Sequence, residues 1–414
     1  MTMSIGVVAS QAIMFVISPI LTRIYSPKDF GLFGIFTSIS SVLCVLANGR
    51  YQVPIVLPKK DREAVNVFAL SILFTLGLSL LLVAIIFFFN QAITSLFHTE
   101  ELSKWLYFIP LTVLLNGLYE PVFAWAVRKK RYGTLSWTRV TQSVSSSLYQ
   151  VVAGLLKAGG SGLILGRIVG DSMRAIYAWG HLIRNDRKRR IFFDFKAIKF
   201  SAIKYRDFLR FEATLSVIKT FTSEMPVFFL MSLFSPSVTG FYLLSVRVIS
   251  GPFSILQLSM NQVFYKEMTD RFHLKQDFYP FVKKTYLNLL KIAIIPHIVL
   301  LFLAPLLFKI VFGANWINSG HMTQLMIPTL LLSFLNSPMT VLSQILNKQK
   351  TLLCFELIQL ALVSSLMAGS AFWFHNELIT IAAMSFGMTS YHLFLMGYLI
   401  HISKNVDHED VYKH

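Results

Sequence analysis

Fifteen charged side chains sit inside stretches of this sequence that are otherwise apolar. Ten are basic (Arg23, Arg50, Arg139, Arg167, Arg174, Arg210, Lys219, Arg247, Lys291 and Lys309) and five are acidic (Glu120, Asp171, Glu212, Glu224 and Glu356). A charge near the centre of a bilayer costs about 2.5–3.5 kcal/mol on insertion scales, so a chain keeps many of them only where they face a protein interior or a wet cavity. The excess of basic over acidic groups suits an anionic ligand, a phosphate or diphosphate above all, because the guanidinium fork meets its oxygens in pairs. A cation exchanger is expected to show the opposite balance. Arg23, Arg210, Glu212 and Lys309 lie near the ends of their runs, where long side chains reach the headgroups and anchoring is the simpler reading. Arg50, Arg174, Lys219 and Arg247 lie deeper and are candidate cavity cations. Glu120, Asp171, Glu224 and Glu356 are candidates for charge pairing or ion coupling.

Arg167, Asp171 and Arg174 stand at i, i+4 and i+7, on one face of a helix. Asp171 can pair with both neighbours within that helix. Spacing alone leaves open whether the three form a self-satisfied ladder or serve transport. Gly162, Gly166 and Gly170 recur every fourth residue on the same segment. Such a stripe permits close helix packing. It is not a phosphate loop, because no Gly-Lys-Ser/Thr follows.

The elements that must hold these residues are legible from composition. Hydrophobic residues make up 55% of the chain and charged residues 14%, with mean hydropathy +0.61, whereas a soluble domain is nearer a quarter charged. Crossing the hydrocarbon core takes about 20 apolar residues. Twelve runs qualify: 4–24, 30–57, 65–89, 105–127, 135–156, 162–183, 208–233, 239–265, 285–311, 322–346, 352–374 and 378–402. Only helices satisfy their own backbone in lipid over such lengths, so the expected fold is an all-α integral membrane protein. The chain opens almost directly in its first run, which reads as an uncleaved span rather than a cleavable signal peptide.

Lys and Arg set the sidedness. Loops after even-numbered runs carry 25 of them and loops after odd-numbered runs only 3, namely Lys28, Lys104 and Lys157. This places both termini in the cytoplasm. It also explains a net charge of +18 without nucleic acid: the run Arg187-Lys188-Arg189-Arg190 lies between two apolar segments, as a cytoplasmic anchor loop does. Cys44 and Cys354 fall inside apolar runs with no CxxC spacing, which argues against redox or zinc chemistry. No cofactor is expected. An enzyme reading also finds no support: the outward loops are short, the longest being about 91–104, and none gathers a Ser/His/Asp or metal set.

The chain repeats itself. Tyr25-Ser26-Pro27-Lys28-Asp29-Phe30-Gly31-Leu32-Phe33 is matched half a chain later by Phe234-Ser235-Pro236-Ser237-Val238-Thr239-Gly240-Phe241-Tyr242. In each copy Ser-Pro ends one apolar run and the glycine opens the next. Ile109-Pro110 through Pro121 to Arg128-Lys129-Lys130-Arg131 is likewise echoed by Ile327-Pro328 through Pro338 to Lys348-Gln349-Lys350. Both repeats run in the same sense, which implies two parallel six-helix bundles related by an axis along the membrane normal. The expected division is an N-terminal bundle over 1–183, a basic linker over 184–207, a C-terminal bundle over 208–402 and a cytoplasmic tail over 403–414. Prolines in or beside the runs, Pro19 and Pro121 among them, are potential bend points.

Ser10-Gln11, Ser18-Pro19-Ile20-Leu21-Thr22-Arg23-Ile24-Tyr25-Ser26-Pro27-Lys28-Asp29-Phe30-Gly31, Asn48-Gly49-Arg50-Tyr51 and Ile55-Val56-Leu57-Pro58 together resemble the opening of Wzx-type O-antigen and polysaccharide repeat-unit flippases. Their superfamily also contains lipid II flippases and multidrug and toxin extrusion transporters. The resemblance extends over the whole chain in size, span count and repeat, and is most specific over residues 10–65. It implies about 12 transmembrane helices in two bundles around a central cavity, in the cell inner membrane. It also implies a substrate, polyprenyl-diphosphate-linked oligosaccharide, passed from the cytoplasmic to the periplasmic leaflet. Arg23, Arg50 and Arg247 match the family-type arginines of spans 1, 2 and 8 for the diphosphate. Membrane lipids, a polysaccharide polymerase and a chain-length regulator are the partners it implies. The chain departs from the pattern in starting close to its first span, where such proteins often have a longer basic amphipathic stretch. The rival reading is a proton- or sodium-coupled drug antiporter of the same superfamily, with Glu120, Glu224 and Glu356 as proton carriers.

Overall fold

A computed structural model describes residues 2–186, 194–346 and 348–405. The basic run 187–190 and most of the expected tail lie outside the described residues. Everything described is helix or connection. Twelve helices have 20 residues or more: α1 (Thr2–Ile24), α2 (Pro27–Leu46), α3 (Asp61–Leu96), α4 (Ile109–Arg128), α5 (Tyr132–Leu155), α6 (Gly160–Asp186), α7 (Ala213–Leu233), α8 (Pro236–His273), α9 (Tyr279–Phe312), α10 (Ile317–Asn336), α11 (Gln349–Phe374) and α12 (Glu377–Lys404). They correspond one to one with the twelve apolar runs. A shorter linker helix (Phe195–Lys204) lies between α6 and α7, and a π-helical turn (Phe208–Glu212) leads into α7.

Local chemistry sets several ends. Ser26 caps α2 in a reciprocal box: the Asp29 amide donates to Ser26 Oγ at 3.2 Å, and the Ser26 amide to Asp29 Oδ2 at 2.9 Å. Pro27 supplies a ready-made first helical residue. Asn376 caps α12 by accepting from the amides of Leu378 and Ile379.

Not every run is a single helix, and the break that matters most lies in the second run. The sequence reads 30–57 as continuous, but α2 stops at Leu46, and a 3-10 turn over Val53–Val56 follows a left-handed pair, Gly49 (φ 56°) and Arg50 (φ 60°). The Asn48-Gly49 dipeptide favours such a turn, and Pro54 and Pro58 prevent the α-helix from resuming. Asn48 pins the break: it is 1% exposed and donates to Thr75 Oγ1 at 2.8 Å and to the Gly117 carbonyl at 2.7 Å.

Among the described residues, seven helices are long and apolar enough to cross a membrane, and an eighth span is obtained if α10 is joined to Pro338–Ile345 across a 43° bend. The other four long helices, α5 to α8, carry Arg139, Arg167, Asp171, Arg174, Lys219, Glu224 and Arg247 among their residues. The protein is a multi-pass membrane protein, and among the described residues its one fully buried charge, Asp171, lies on one of these four helices. Exposed Leu, Ile and Phe side chains line α3 (Leu80, Leu81, Phe87, Phe88) and α9 (Ile295, Phe302, Ile310), as lipid contact requires.

The chain forms two compact units, Met1–Gly240 and Phe241–His414. In the first, α5 packs between α1 and α6, α4 lies against α3 and α6, and α2 meets α6 and α7. The glycine stripe of α6 fits this packing. A Cβ on Gly166 would collide with the side chain of Gln150, and one on Gly170 would come within 2.8 Å of the Gln142 carbonyl oxygen. The Ser-Pro repeats also meet here: a Cβ on Gly31 would collide with the Pro236 carbonyl, and one on Gly240 with that of Pro27. In the second unit, α9 lies on α10 and α11 on α12, around a core that includes Phe264, Phe278, Tyr286, Phe334 and Leu395.

Candidate functional site

The break after α2 places Arg50 at a cavity of about 290 Å³ within the first unit. Ser40 from α2, Gln52 from the break, Asn116 and Glu120 from α4, and Arg167 from α6 share its wall. A helix continuing through residue 50 would have placed this side chain by its own periodicity. The left-handed pair instead turns the chain, and its backbone is held by Asn48 below and by aromatic packing of Tyr51 on Phe74, with centroids 5.9 Å apart.

Two features make the cavity chemically unusual. Ser40 Oγ, Arg50 Nε and Gln52 Oε1 are buried and have no protein hydrogen-bond partner among the described residues. Buried polar atoms nearly always have a partner, so this wall is arranged for a polar guest or for water. The charge is also unequal. Arg50, Arg139, Arg167 and Arg174 converge on this region against two carboxylates, Glu120 and Asp171. Glu120 lies in the electrostatic field of Arg174, Arg139 and Arg50.

Asp171 is fully buried and carries most of the pairing. Arg167 Nε lies 2.9 Å from its Oδ2 and Arg174 Nη2 lies 3.5 Å from its Oδ1. Gln142 Nε2 donates to Oδ1 at 2.5 Å. Arg174 is further held by a hydrogen bond to Asn116 Oδ1 at 2.8 Å and by stacking over Tyr119, 4.2 Å from the ring centroid. The three-residue face of α6 is therefore a ladder on Asp171, extended by α4 and α5 into a network that crosses three helices. Arg50 and Arg139, by contrast, make no side-chain hydrogen bond or ion pair among the described residues.

The remaining candidates do not gather here. Arg23 is exposed at the end of α1, and Lys219 is exposed on α7. Glu224 is half-buried on α7 and accepts a hydrogen bond from Ser38 Oγ at 2.6 Å. Arg247 is half-buried on α8, without an ion pair among the described residues, and Glu356 is half-buried on α11. Arg210, Glu212 and Lys309 are exposed, as anchoring groups are. Reading the charges by depth alone passed over Arg139, although it stood in the same set of intramembrane cations. It also gave no hint of Asn116, Gln142 and Tyr119, which are uncharged and enter only through space. No group of three or more potential metal ligands occurs among the described residues.

Residues 20–321 match the family described as "Polysaccharide biosynthesis protein". The chain belongs to that family. Its fold is shared more widely among solved membrane proteins. The lipid II flippase MurJ in an inward closed conformation aligns over 99% of this chain and 89% of its own, with TM-score 0.73 and 14% identity. An inward-facing multidrug resistance MATE family transporter of the MOP superfamily aligns over 99% and 96%, with TM-score 0.65 and 15% identity. A DinF-BH MATE multidrug transporter in complex with R6G aligns over 97% and 94%, with TM-score 0.62 and 14% identity. At such identities the likeness is one of fold. No curated protein matches the chain by sequence.

Proposed function

We propose that this protein is a Wzx-type flippase. It passes undecaprenyl-diphosphate-linked oligosaccharide repeat units from the cytoplasmic to the periplasmic leaflet of the inner membrane, for surface polysaccharide such as O-antigen or capsule. Twelve spans in two six-helix bundles, with both termini cytoplasmic, form the transport frame. The observation that carries the reading is Arg50, a guanidinium turned to a polar cavity by the break after α2 and without a hydrogen-bonded or ion-paired side chain among the described residues. Around it the four arginines exceed the two carboxylates by two charges, which matches a diphosphate bearing about two negative charges. The family match supports a role in polysaccharide assembly, and the fold shared with a lipid II flippase supports a lipid-linked substrate.

In this reading Arg50 meets the diphosphate directly, and Arg23, Lys219 and Arg247 receive or pass it on elsewhere along the path. Arg174, already engaged by Asp171 and Asn116, contributes field rather than a free fork. The polyprenyl tail stays in lipid. Outward movement of two negative charges gains about 5 kcal/mol at 100 mV, cytoplasm negative, so the membrane potential can bias the direction without a coupled ion.

The test is complementation of a flippase-null strain, with surface polysaccharide as the readout and membrane abundance of each variant measured alongside. Arg50→Ala should strongly reduce polymer at normal abundance, and Arg50→Lys should restore part of it because charge survives while the fork is lost. Full polymer from Arg50→Ala would end the proposal. Glu120 at the cavity wall favours a second reading, a proton-coupled drug antiporter. Increased drug resistance on expression, lost in Glu120→Gln, would support it over the flippase.

A further inference from the structure

The linker helix carries a face that the transport reading does not use. It is ten residues long, Phe195–Lys204, capped by Asp194, whose carboxylate accepts from the Lys196 amide at 3.0 Å. Ile198 and Ser201 on the helix and Tyr205 just beyond it are buried, and this face packs on α3. Tyr205 belongs to the same core cluster as Tyr51 and Ile55, and Phe208 and Leu209 pack against that cluster. The helix is thus fixed in orientation by one face.

The opposite face is apolar and basic at once. Phe195, Phe200 and Ile203 are 78%, 64% and 58% exposed, and Lys196, Lys199 and Lys204 alternate with them on the same arc and are exposed too. The helix itself bears no acidic residue. Three large exposed apolar side chains in ten residues would be costly in water. Lysines interleaved with them fit a level where hydrocarbon ends and phosphate begins, because the butyl stems lie along the apolar layer while the ammonium groups reach outward. An acidic protein surface would satisfy the lysines but not the two phenylalanines projecting between them.

We propose that the linker helix is a binding surface for anionic phospholipid: Phe195, Phe200 and Ile203 lie among the upper acyl chains, and Lys196, Lys199 and Lys204 hold the phosphate headgroups. Beyond the helix, in the π-helical turn, Leu209 approaches the turn that carries Arg50: a Cβ at Gly49 would meet Leu209 Cδ1 at 3.1 Å.

The experiment uses the full chain in bilayers of phosphatidylcholine with about one-third phosphatidylglycerol, a composition anionic enough for each nearby lysine to favour the surface about five-fold. A spin label at Phe200→Cys, in a Cys44→Ser/Cys354→Ser background, should show oxygen accessibility typical of the upper acyl region. A label in water would overturn the proposal, as would burial by a co-purifying protein. Native mass spectrometry should show phosphatidylglycerol retained over phosphatidylcholine. Lys196→Gln/Lys199→Gln/Lys204→Gln should cut that preference at least five-fold, Arg at the same three positions should keep it, and Lys59→Gln/Lys60→Gln should leave it unchanged. An undiminished preference in the triple Gln variant would also overturn the proposal. Neither readout involves transport, so the surface can fail while the flippase reading stands, and the reverse.

Discussion

The two units bury polar groups in different currencies. In the first unit the buried polar centre is ionic: Asp171, fully buried, holds Arg167, Arg174 and Gln142, and Glu120 lies in the field of three arginines. In the second unit, where Arg247 and Glu356 are only half-buried, the hydrogen-bonded polar networks are neutral. Thr329 bonds the Ser385 carbonyl and the Thr389 hydroxyl, and Asn336 joins Tyr286 to the His392 carbonyl. The two units thus differ in chemistry. The Thr329 and Asn336 networks find their partners among their own members and join α9, α10 and α12. An ionic network with surplus cations is not self-satisfied, and the surplus is directed at a cavity. Fixing helices would have needed only the former.

The sharpest way to break this contrast is to remove its pivot. Asp171→Ala leaves Arg167 and Arg174 together without their shared counter-charge. Removing one partner of a buried ion pair costs about 3–5 kcal/mol. A marked drop in the midpoint of thermal unfolding in detergent, with loss of membrane abundance, is expected. A variant as stable as the parent would show that the ladder is not what holds α6 to its neighbours.

Arg50→Ala should behave in the opposite manner. Its guanidinium has no described protein partner, so its removal should leave unfolding unchanged within about 0.5 kcal/mol, as for substitutions away from packed features. Transport should fall by about 10- to 100-fold, the worth of about 1.5–3 kcal/mol for a hydrogen bond to a charged group. Initial rates of lipid-linked substrate movement in vesicles, taken with a melting curve, check both halves. A stability loss with intact transport would make Arg50 a structural residue and remove the main distinction between the two units.

How far this could be read from sequence depends on whether the information is local. The i, i+4, i+7 spacing of Arg167, Asp171 and Arg174 lies on one helix, so periodicity alone paired them correctly. The four-residue glycine stripe, equally local, gave the close contact with α5. The twelve long helices follow from run lengths for the same reason. Arg50 was flagged by its charge, but its placement depends on a break that a hydropathy reading spans, since the residues around Asn48-Gly49 are apolar on both sides. The dipeptide itself, followed by Pro54 and Pro58, is the turn signal that would have revealed it. Gln142, Asn116 and Tyr119 had no comparable signal. Each is an ordinary residue on an ordinary helix until a neighbouring helix brings a charge to it.

Two deletions of matched size sharpen the contrast further. Gln142→Leu removes the 2.5 Å bond to Asp171 and leaves that carboxylate with its two arginines. A charge-assisted bond lost from a buried carboxylate should cost about 1.5–3 kcal/mol, seen as a lower unfolding midpoint. Asp171→Ala combined with Gln142→Leu should cost less than the sum of the two, because the second change removes a partner already lost.

The smallest effect is expected from the neutral counterpart. Thr389→Val deletes one hydroxyl from the second unit's network while keeping the side chain's shape. Thr329 Oγ1 still bonds the Ser385 carbonyl at 2.8 Å and lies 3.0 Å from Ser385 Oγ, so nothing buried is left unsatisfied. The loss should be about 0.5–1 kcal/mol, the net worth of one neutral hydrogen bond between membrane helices. Stability should therefore fall about two- to four-fold less than for Gln142→Leu, and transport should be unchanged. Equal losses at the two positions would mean that the charge on Asp171 adds nothing beyond geometry. The first unit would then differ from the second only in residue type, and the surplus cations at the cavity would need another explanation.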